Sequence, residues 1–195
     1  LSAAIKIKQL ALKSDTEVSV CVLEKGSEVG AHILSGNVFD PKSLEELIPN
    51  WKELGAPLNV PVTKDSVRYM LNQTTMVSVP VFLMPTFNNH GNFITSLANV
   101  CRWLAEYAEG LGVEIFPGFA ASKIIYSDGI VQGVSTGDMG ISLSGEKKDN
   151  YEPGIDLLGK YTLLSEGCRG HLGKSIIEKF ALDTDKDPQH YGIGF

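Results

Sequence analysis

Glu24 is the residue whose position most clearly suggests chemistry. It follows residues 18–23, a β-branched and apolar run that is typical of a buried parallel strand, and Lys25 and Gly26 come directly after it. In a dinucleotide-binding βαβ unit, an acidic side chain at the end of the second strand accepts hydrogen bonds from a ribose. The position of Glu24 fits that role, and it also fits a charged residue that merely ends a strand.

A glycine-rich segment follows this acid. Residues 26–41 combine Gly26, Gly30 and Gly36 with small polar residues, so we expect an irregular segment that lies close to something bulky, for which a ligand is one candidate. The sequence contains no G-x-G-x-x-G motif, and the glycine turn of a βαβ unit would lie upstream of Leu1. The segment alone therefore does not decide between a ligand and a packed loop.

Composition excludes several classes of protein. The 195 residues are 43% hydrophobic and 21% charged, which is ordinary globular usage and excludes collagen-like, disordered and coiled-coil chains. A net charge of -6 argues against nucleic-acid binding. Cys21, Cys101 and Cys168 form no C-x-x-C pair, so we expect free thiols and no metal site.

The longest apolar run, residues 76–87, is interrupted by Pro80 and Pro85. It is too short to span a bilayer, which needs about 20 residues. It could be a buried strand, or an apolar loop that dips into lipid. Because the sequence opens at Leu1 without a signal or transit peptide, we expect that its natural start lies elsewhere.

The elements that would position these residues follow from periodicity and from turn residues. The apolar spacing predicts a long helix that ends before Gly112, and Asp128-Gly129 predicts a hairpin turn. Residues 56–61 and 137–154 are expected to be loops. The full prediction comprises helices at 1–13, 44–54, 94–111 and 172–180, and strands at 18–23, 67–71, 76–84, 113–116, 124–126, 130–134 and 161–164.

Four separated blocks of sequence, residues 22–36, 88–92, 111–121 and 166–170, resemble the electron-transfer flavoprotein:ubiquinone oxidoreductases. The resemblance runs from end to end, with the blocks in the family's order. It implies an α/β fold, in which part of a glutathione-reductase-type FAD-binding Rossmann domain is interleaved with an α+β quinone-binding region. The implied domains are FAD-binding at 1–40 and 111–175, an inserted quinone- or membrane-facing region at 41–110, and the start of a further quinone-domain segment at 176–195.

The resemblance also implies roles for individual residues. Glu24, with Lys25 beside it, would hold the adenosine ribose, and Ala121 would meet the adenine through its backbone. Glu166 and Gly167 would face the pyrophosphate, although a plain strand-to-helix turn remains the alternative for residues 166–170. The segment that would run along the cofactor comprises Gly30, Ala31, His32, Ser35 and Gly36.

Other polar and aromatic residues have structural alternatives. His90, Asn88, Asn89 and Asn92 could lie over the flavin, or could cap the helix beginning near Ile94. The alternative we favour for Trp103, Tyr107 and Cys168 is packing, and Asp40, Asp65 and Asp128 are interpreted as turn residues.

The resemblance finally implies a function. The complete protein would pass electrons from electron-transfer flavoprotein to ubiquinone at the matrix side of the mitochondrial inner membrane, or at a bacterial cytoplasmic membrane. It would carry a four-iron four-sulfur cluster that this segment does not ligate, so flanking sequence or a companion chain would supply the missing parts. The residues implied to face membrane or quinone are Val79, Val81, Phe82, Leu83 and Met84.

Two alternative functions remain open at this point. The chain could be a non-catalytic structural subunit of a respiratory assembly that keeps the fold without the cofactor. It could also belong to another flavin oxidoreductase or hydroxylase of the same fold, which the four blocks disfavour.

Overall fold

A computed structural model describes residues 1–33, 36–167, 169–190 and 192, which divide into two compact units, Leu1–Gly118 and Phe119–Phe195. The first unit contains α1 (Ser2–Lys13), β1 (Val20–Glu24), β2 (Asn37–Phe39), α2 (Lys42–Leu47), β3 (Val60–Pro61), β4 (Val67–Met70), β5 (Met76–Val79), β6 (Phe93–Thr95), α3 (Leu97–Gly110) and β7 (Val113–Pro117). The second contains β8 (Ala121–Ser127), β9 (Ile130–Thr136), β10 (Met139–Ile141), β11 (Lys147–Glu152), β12 (Asp156–Leu158) and α4 (His171–Phe180).

A parallel pair of strands organises one side of the first unit. β1 runs beside β7, from Val20 opposite Val113 to Glu24 opposite Pro117. Both strands are short β-branched runs, and α1 and α3 pack against them through a core in which Ile5 and Ala108 are fully buried. Because parallel strands end at the same edge, this packing places Glu24 at the carboxyl edge of the pair.

A second core lies between α2, α3 and the three-stranded sheet β2-β6-β3. Trp51 is buried there and meets the ring of Phe93 edge-on. The rings of Trp103 and Tyr107 are stacked with their centroids 6.0 Å apart, and Trp103 Nε1 donates a hydrogen bond to the Leu54 carbonyl at 3.1 Å. The packing interpretation of Trp103 and Tyr107 is therefore confirmed.

Residues 66–88 form an excursion from this unit that we call the arm. The predicted hairpin is confirmed, since β4 pairs antiparallel with β5 and the Asn72 side chain accepts hydrogen bonds from the turn amides of Thr74 and Thr75. The return strand ends at Val79 and not at Met84 as predicted. Two 3-10 turns, Val81–Leu83 and Pro85–Phe87, follow because each proline lacks the N–H that a ladder needs.

The two ends of the arm are tied together by Asp65. Its Oδ2 accepts a hydrogen bond from the Asn89 backbone N–H at 3.0 Å, and its Oδ1 accepts one from Asn89 Nδ2 at 2.8 Å. Val62 N–H donates to the Asn92 carbonyl at 2.9 Å nearby. The bonds from Asn89, helped by nearby His90, hold the pKa of the Asp65 carboxyl below its ordinary value of 3.8.

The lowered pKa of Asp65 predicts a pH-dependent change at the base of the arm, where Asp65 is bonded to Asn89. The ionised Asp65 carboxylate stabilises the base fully at pH values above 3.8, the ordinary pKa of aspartate. This stabilisation is lost as the pH falls through the lower pKa that Asp65 has in the folded protein. We expect the NMR shift of the Asn89 amide to titrate below pH 3.8, and Asp65→Asn to abolish that titration. Asp40→Asn is the control, because Asp40 accepts only a local hydrogen bond from Lys42 N–H in the described chain. An unchanged titration in Asp65→Asn would show that another group holds the base.

The second unit is built on the antiparallel sheet β12-β9-β8. The predicted hairpin between β8 and β9 is confirmed, and its turn residues Asp128 and Gly129 both have positive φ, at 51° and 77°. Thr136 is buried at the end of β9, and its hydroxyl accepts a hydrogen bond from Ile155 N–H at 2.9 Å.

Several predicted boundaries were wrong. The expected loop 137–154 contains the β10–β11 hairpin, which polar patterning hid because most side chains of β11 are exposed on both faces. The long helix begins at Leu97 and not at Ile94, since Phe93–Thr95 pairs with β2 and β3. Residues 161–164 form no strand, because no described strand lies alongside them, and Tyr161 is 92% exposed.

Candidate functional site

One oxygen of the half-buried Glu24 carboxylate is held by the turn that follows β1. Oε1 accepts a hydrogen bond from Gly26 N–H at 2.6 Å, which fixes the side chain against the turn that follows β1. Gly118 N–H donates to the Gly26 carbonyl at 2.7 Å and ties the ends of the two parallel strands together. Among the described residues no hydrogen bond to Oε2 is present, so a held carboxylate offers one oxygen at the carboxyl edge.

Gly30 has a packing reason within the first unit. Its φ is +87°, and a Cβ there would lie 2.9 Å from the Ala98 carbonyl oxygen in the first turn of α3. The loop after β1 therefore packs directly on α3, which is the bulky neighbour that the glycines predicted. Gly36, at φ +85°, instead faces open space, where a Cβ would meet no atom within 4 Å.

The other described residues of the predicted cofactor segment lie at the surface. Lys25, Ala31 and His32 are exposed, and Ser35 lies outside the described residues. Glu28 pairs with Arg102 of α3 at 3.5 Å, an exposed contact that contributes little to stability. The structure thus places Glu24, Gly26 and Gly30 at the end of β1 and in the segment after it, beside α3, and leaves Lys25, Ala31 and His32 exposed.

The two described cysteines, Cys21 and Cys101, have thiols of raised pKa. Burial raises the pKa of the Cys101 thiol above its ordinary value. The pKa of the Cys21 thiol is also raised, mainly by burial and secondly by the nearby Glu114 carboxylate. Both are free and protonated at neutral pH, while Cys168 lies outside the described residues. Within the described chain, no group of three or more His, Cys, Asp or Glu side chains is arranged to hold a metal ion.

Glu166 in the second unit is committed to the start of α4. Its Oε2 accepts a hydrogen bond from Gly173 N–H at 2.8 Å, its Oε1 accepts a longer one from Leu172 N–H at 3.4 Å, and His171 Nδ1 lies 3.6 Å away. A Cβ at Gly170 would overlap the Glu166 side chain, so only glycine fits there. Gly167 makes the turn with φ +75°. The Glu166 carboxylate therefore caps the first turn of α4, and the pyrophosphate contact implied for Glu166 and Gly167 remains a prediction.

Ala121 opens β8 and is half-buried, paired with Thr136. Gly137 N–H donates a hydrogen bond to the carbonyl of Ala120, the residue before Ala121, at 3.0 Å. The contact with adenine implied for Ala121 remains a prediction.

The polar block 88–92 does not cap the long helix, so that alternative was wrong. The helix begins at Leu97, with Ser96 at its N-cap. Asn89 is bonded to Asp65, and the Asn88 side chain accepts a hydrogen bond from His90 N–H at 3.1 Å. Sequence analysis missed the role of Asp65, because nothing in the chain signals a partner 24 residues away.

A cavity of about 210 Å³ opens where the arm leaves the first unit. It is lined by Val81 and Asn88 of the arm and by Val62, Thr63, Lys64, Asp65 and His90. No helix in the described ranges is both long enough and apolar enough to cross a membrane.

Two helices packed on a parallel pair, with a held carboxylate at its carboxyl edge, form the arrangement that dinucleotide-binding α/β proteins use. The sequence comparisons narrow this class. Over its whole length, the chain matches the electron transfer flavoprotein-ubiquinone oxidoreductases of bacteria and eukaryotes, and the resemblance found in the four blocks is confirmed.

Three relatives illustrate the match. The chain is 57% identical to the electron transfer flavoprotein-ubiquinone oxidoreductase of Pseudomonas aeruginosa, 58% identical to the probable one of Acinetobacter baylyi and 46% identical to the mitochondrial one of Bos taurus. All of this chain is covered, against 36%, 35% and 31% of the relatives. The chain therefore spans about a third of the length of these proteins.

Other comparisons are less informative. No protein-family model matches the chain. The structure of Thermovibrio ammonificans THI4 aligns over 92% of this chain and 59% of its own, with 14% identity and a TM-score of 0.49. A likeness at this level does not establish a shared fold.

Proposed function

We propose that this chain is part of a flavoprotein that passes electrons from electron-transfer flavoprotein to ubiquinone. The observation that carries the proposal is the match at 46–58% identity over the entire chain to proteins named for that activity, from bacteria and from mitochondria. The complete protein would hold an iron-sulfur cluster outside this segment. It would work at a bacterial cytoplasmic membrane or at the matrix side of the mitochondrial inner membrane.

The first unit offers a fitting site for the adenosine end of FAD. Glu24 is fixed by Gly26 N–H through one oxygen and keeps the other available for ribose hydroxyls. Gly36 leaves room for a close neighbour, because no described atom lies near its missing Cβ. When bound, the flavin would supply the redox chemistry, and this chain would supply binding and orientation.

Glu166 and Gly167 fit a pyrophosphate less well. The first amides of α4 are already bonded to the Glu166 carboxylate, and that carboxylate would repel a phosphate at the same place. We therefore assign Glu166 in this proposal to the capping of α4.

The arm supports attachment to a membrane. Neighbouring strand residues point to opposite faces, yet Tyr69 and Met70 are 65% and 54% exposed and Met76 and Val77 are 49% and 48% exposed, so both faces of the hairpin are apolar and open. Lipid can surround both faces of such a hairpin. Arg68 is the only charged residue from 66 to 88, which suits a segment lying in the acyl boundary.

The decisive experiment uses the complete protein. Purified from membranes, it should carry an oxidised-flavin spectrum and should reduce a soluble quinone analogue when reduced electron-transfer flavoprotein is supplied. A protein that binds no flavin and reduces no quinone would contradict the proposal and would favour the structural-subunit alternative.

A further inference from the structure

The cavity at the base of the arm lies where membrane contact would begin. Its edge is formed by Val81, and the next two residues, Phe82 and Leu83, are 80% and 63% exposed. If these two side chains enter the acyl boundary, the cavity stands at the depth of the lipid headgroups. A volume of about 210 Å³ has room for several water molecules or for a small polar group.

The cavity is lined by one basic and one acidic side chain. Lys64 is exposed, and no ion pair with a described residue engages its ammonium group. Asp65 is held by two hydrogen bonds from Asn89, and a carboxylate has further lone pairs that can accept from a cation. Asn88 and His90 add side-chain polar groups at the rim.

A cavity lined by both a lysine and an aspartate suits a ligand that is itself a zwitterion. A purely anionic group would be repelled by Asp65, and a cation would be repelled by Lys64. A phosphate joined to an amine by a short carbon link satisfies both, since a lysine ammonium binds phosphate and a carboxylate binds a protonated amine.

We propose that this cavity binds the zwitterionic headgroup of an aminophospholipid of the phosphatidylethanolamine type, with the phosphate at Lys64 and the ammonium at Asp65. The inference rests on the membrane contact of the arm proposed above. It adds a recognition step, in which the apolar side chains anchor the protein and the cavity selects the headgroup.

The test compares two kinds of vesicle with the complete protein. Vesicles of digalactosyldiacylglycerol offer an apolar layer without phosphate, and the same vesicles with added phosphatidylethanolamine offer the proposed ligand. Flotation should give about three- to five-fold tighter binding to the second kind, the range expected for a partly exposed charge pair. Lys64→Gln should remove this gain and keep the binding to galactolipid alone, because Lys64 is exposed and its loss leaves the fold intact.

Lys42→Gln is the matched control, since Lys42 is an exposed lysine of α2 outside the cavity, and it should keep the full gain. A gain that survives Lys64→Gln, or parent protein that binds both vesicles equally, would overturn the headgroup site while leaving the membrane contact in place. Failure of the parent protein to bind either vesicle would overturn the membrane contact as well. Loss of the gain in millimolar inorganic phosphate would identify a site for the free anion and overturn the lipid assignment.

Discussion

Replacing Glu24 by Ala in the complete protein is expected to weaken its binding of FAD about 10- to 100-fold, the range given by the loss of hydrogen bonds to a charged acceptor. The side chain ends β1, and its Oε1 is already bonded to Gly26 N–H at 2.6 Å. A carboxylate so held loses little freedom when ribose hydroxyls donate to its second oxygen. Isothermal titration of deflavinated protein with FAD measures the change.

Two further variants separate ribose binding from support of the turn. Glu24→Gln keeps an oxygen that can accept from Gly26 N–H and gives up the charge, so an intermediate loss of affinity is expected. Glu114→Ala removes the same charge from exposed Glu114 in the middle of β7, away from the carboxyl edge, and should bind FAD as the parent does. If all three variants bind FAD equally well, Glu24 does not contact the ribose.

The two strands of the parallel pair and the helix α3 could each be predicted from sequence because their signals are local. The β-branched run of β1 ends in an acid, and the apolar spacing before Gly112 identifies a long helix. The pairing of β1 with β7 joins distant parts of the chain and was not predicted. The position of Glu24 follows from the end of its own strand. Its bond to Gly26 N–H could not be predicted, because it depends on the conformation of a turn that contains no regular element.

The failures came from contacts distant in sequence. Asp65 looked like a turn residue, and only the fold brings Asn89 to it across the arm. The cofactor contact of Glu166 remains a prediction, whereas its bond from Gly173 N–H could not be predicted, because it depends on the conformation of the turn before α4. The strand at 161–164 was predicted from its apolar residues, but the structure has no strand there. A strand forms only where a neighbouring strand supplies hydrogen bonds to its backbone.

Changing Phe82 and Leu83 together to Glu is expected to lower the affinity of the complete protein for liposomes at least about 100-fold. The two changes remove the apolar burial that holds the arm in the layer, about 1.5–3 kcal/mol for each side chain at full burial, and they also place charge near the acyl chains. Both side chains are already exposed, at 80% and 63%, and the neighbouring strand ends at Val79, so the variant should fold as the parent does. Flotation with circular dichroism measures both properties.

The matched control is Leu12→Glu, which adds a charge at a 67% exposed leucine of α1 outside the arm. It should float with liposomes as the parent does, because the proposed membrane contact lies in the arm and α1 contributes nothing to the affinity for lipid. A Phe82→Glu, Leu83→Glu protein that is folded and still floats would contradict membrane contact by the 3-10 turn Val81–Leu83. One that unfolds would show that the complete protein buries these side chains in a protein core, because a charge transferred to solvent on an open arm has no reason to disturb the fold.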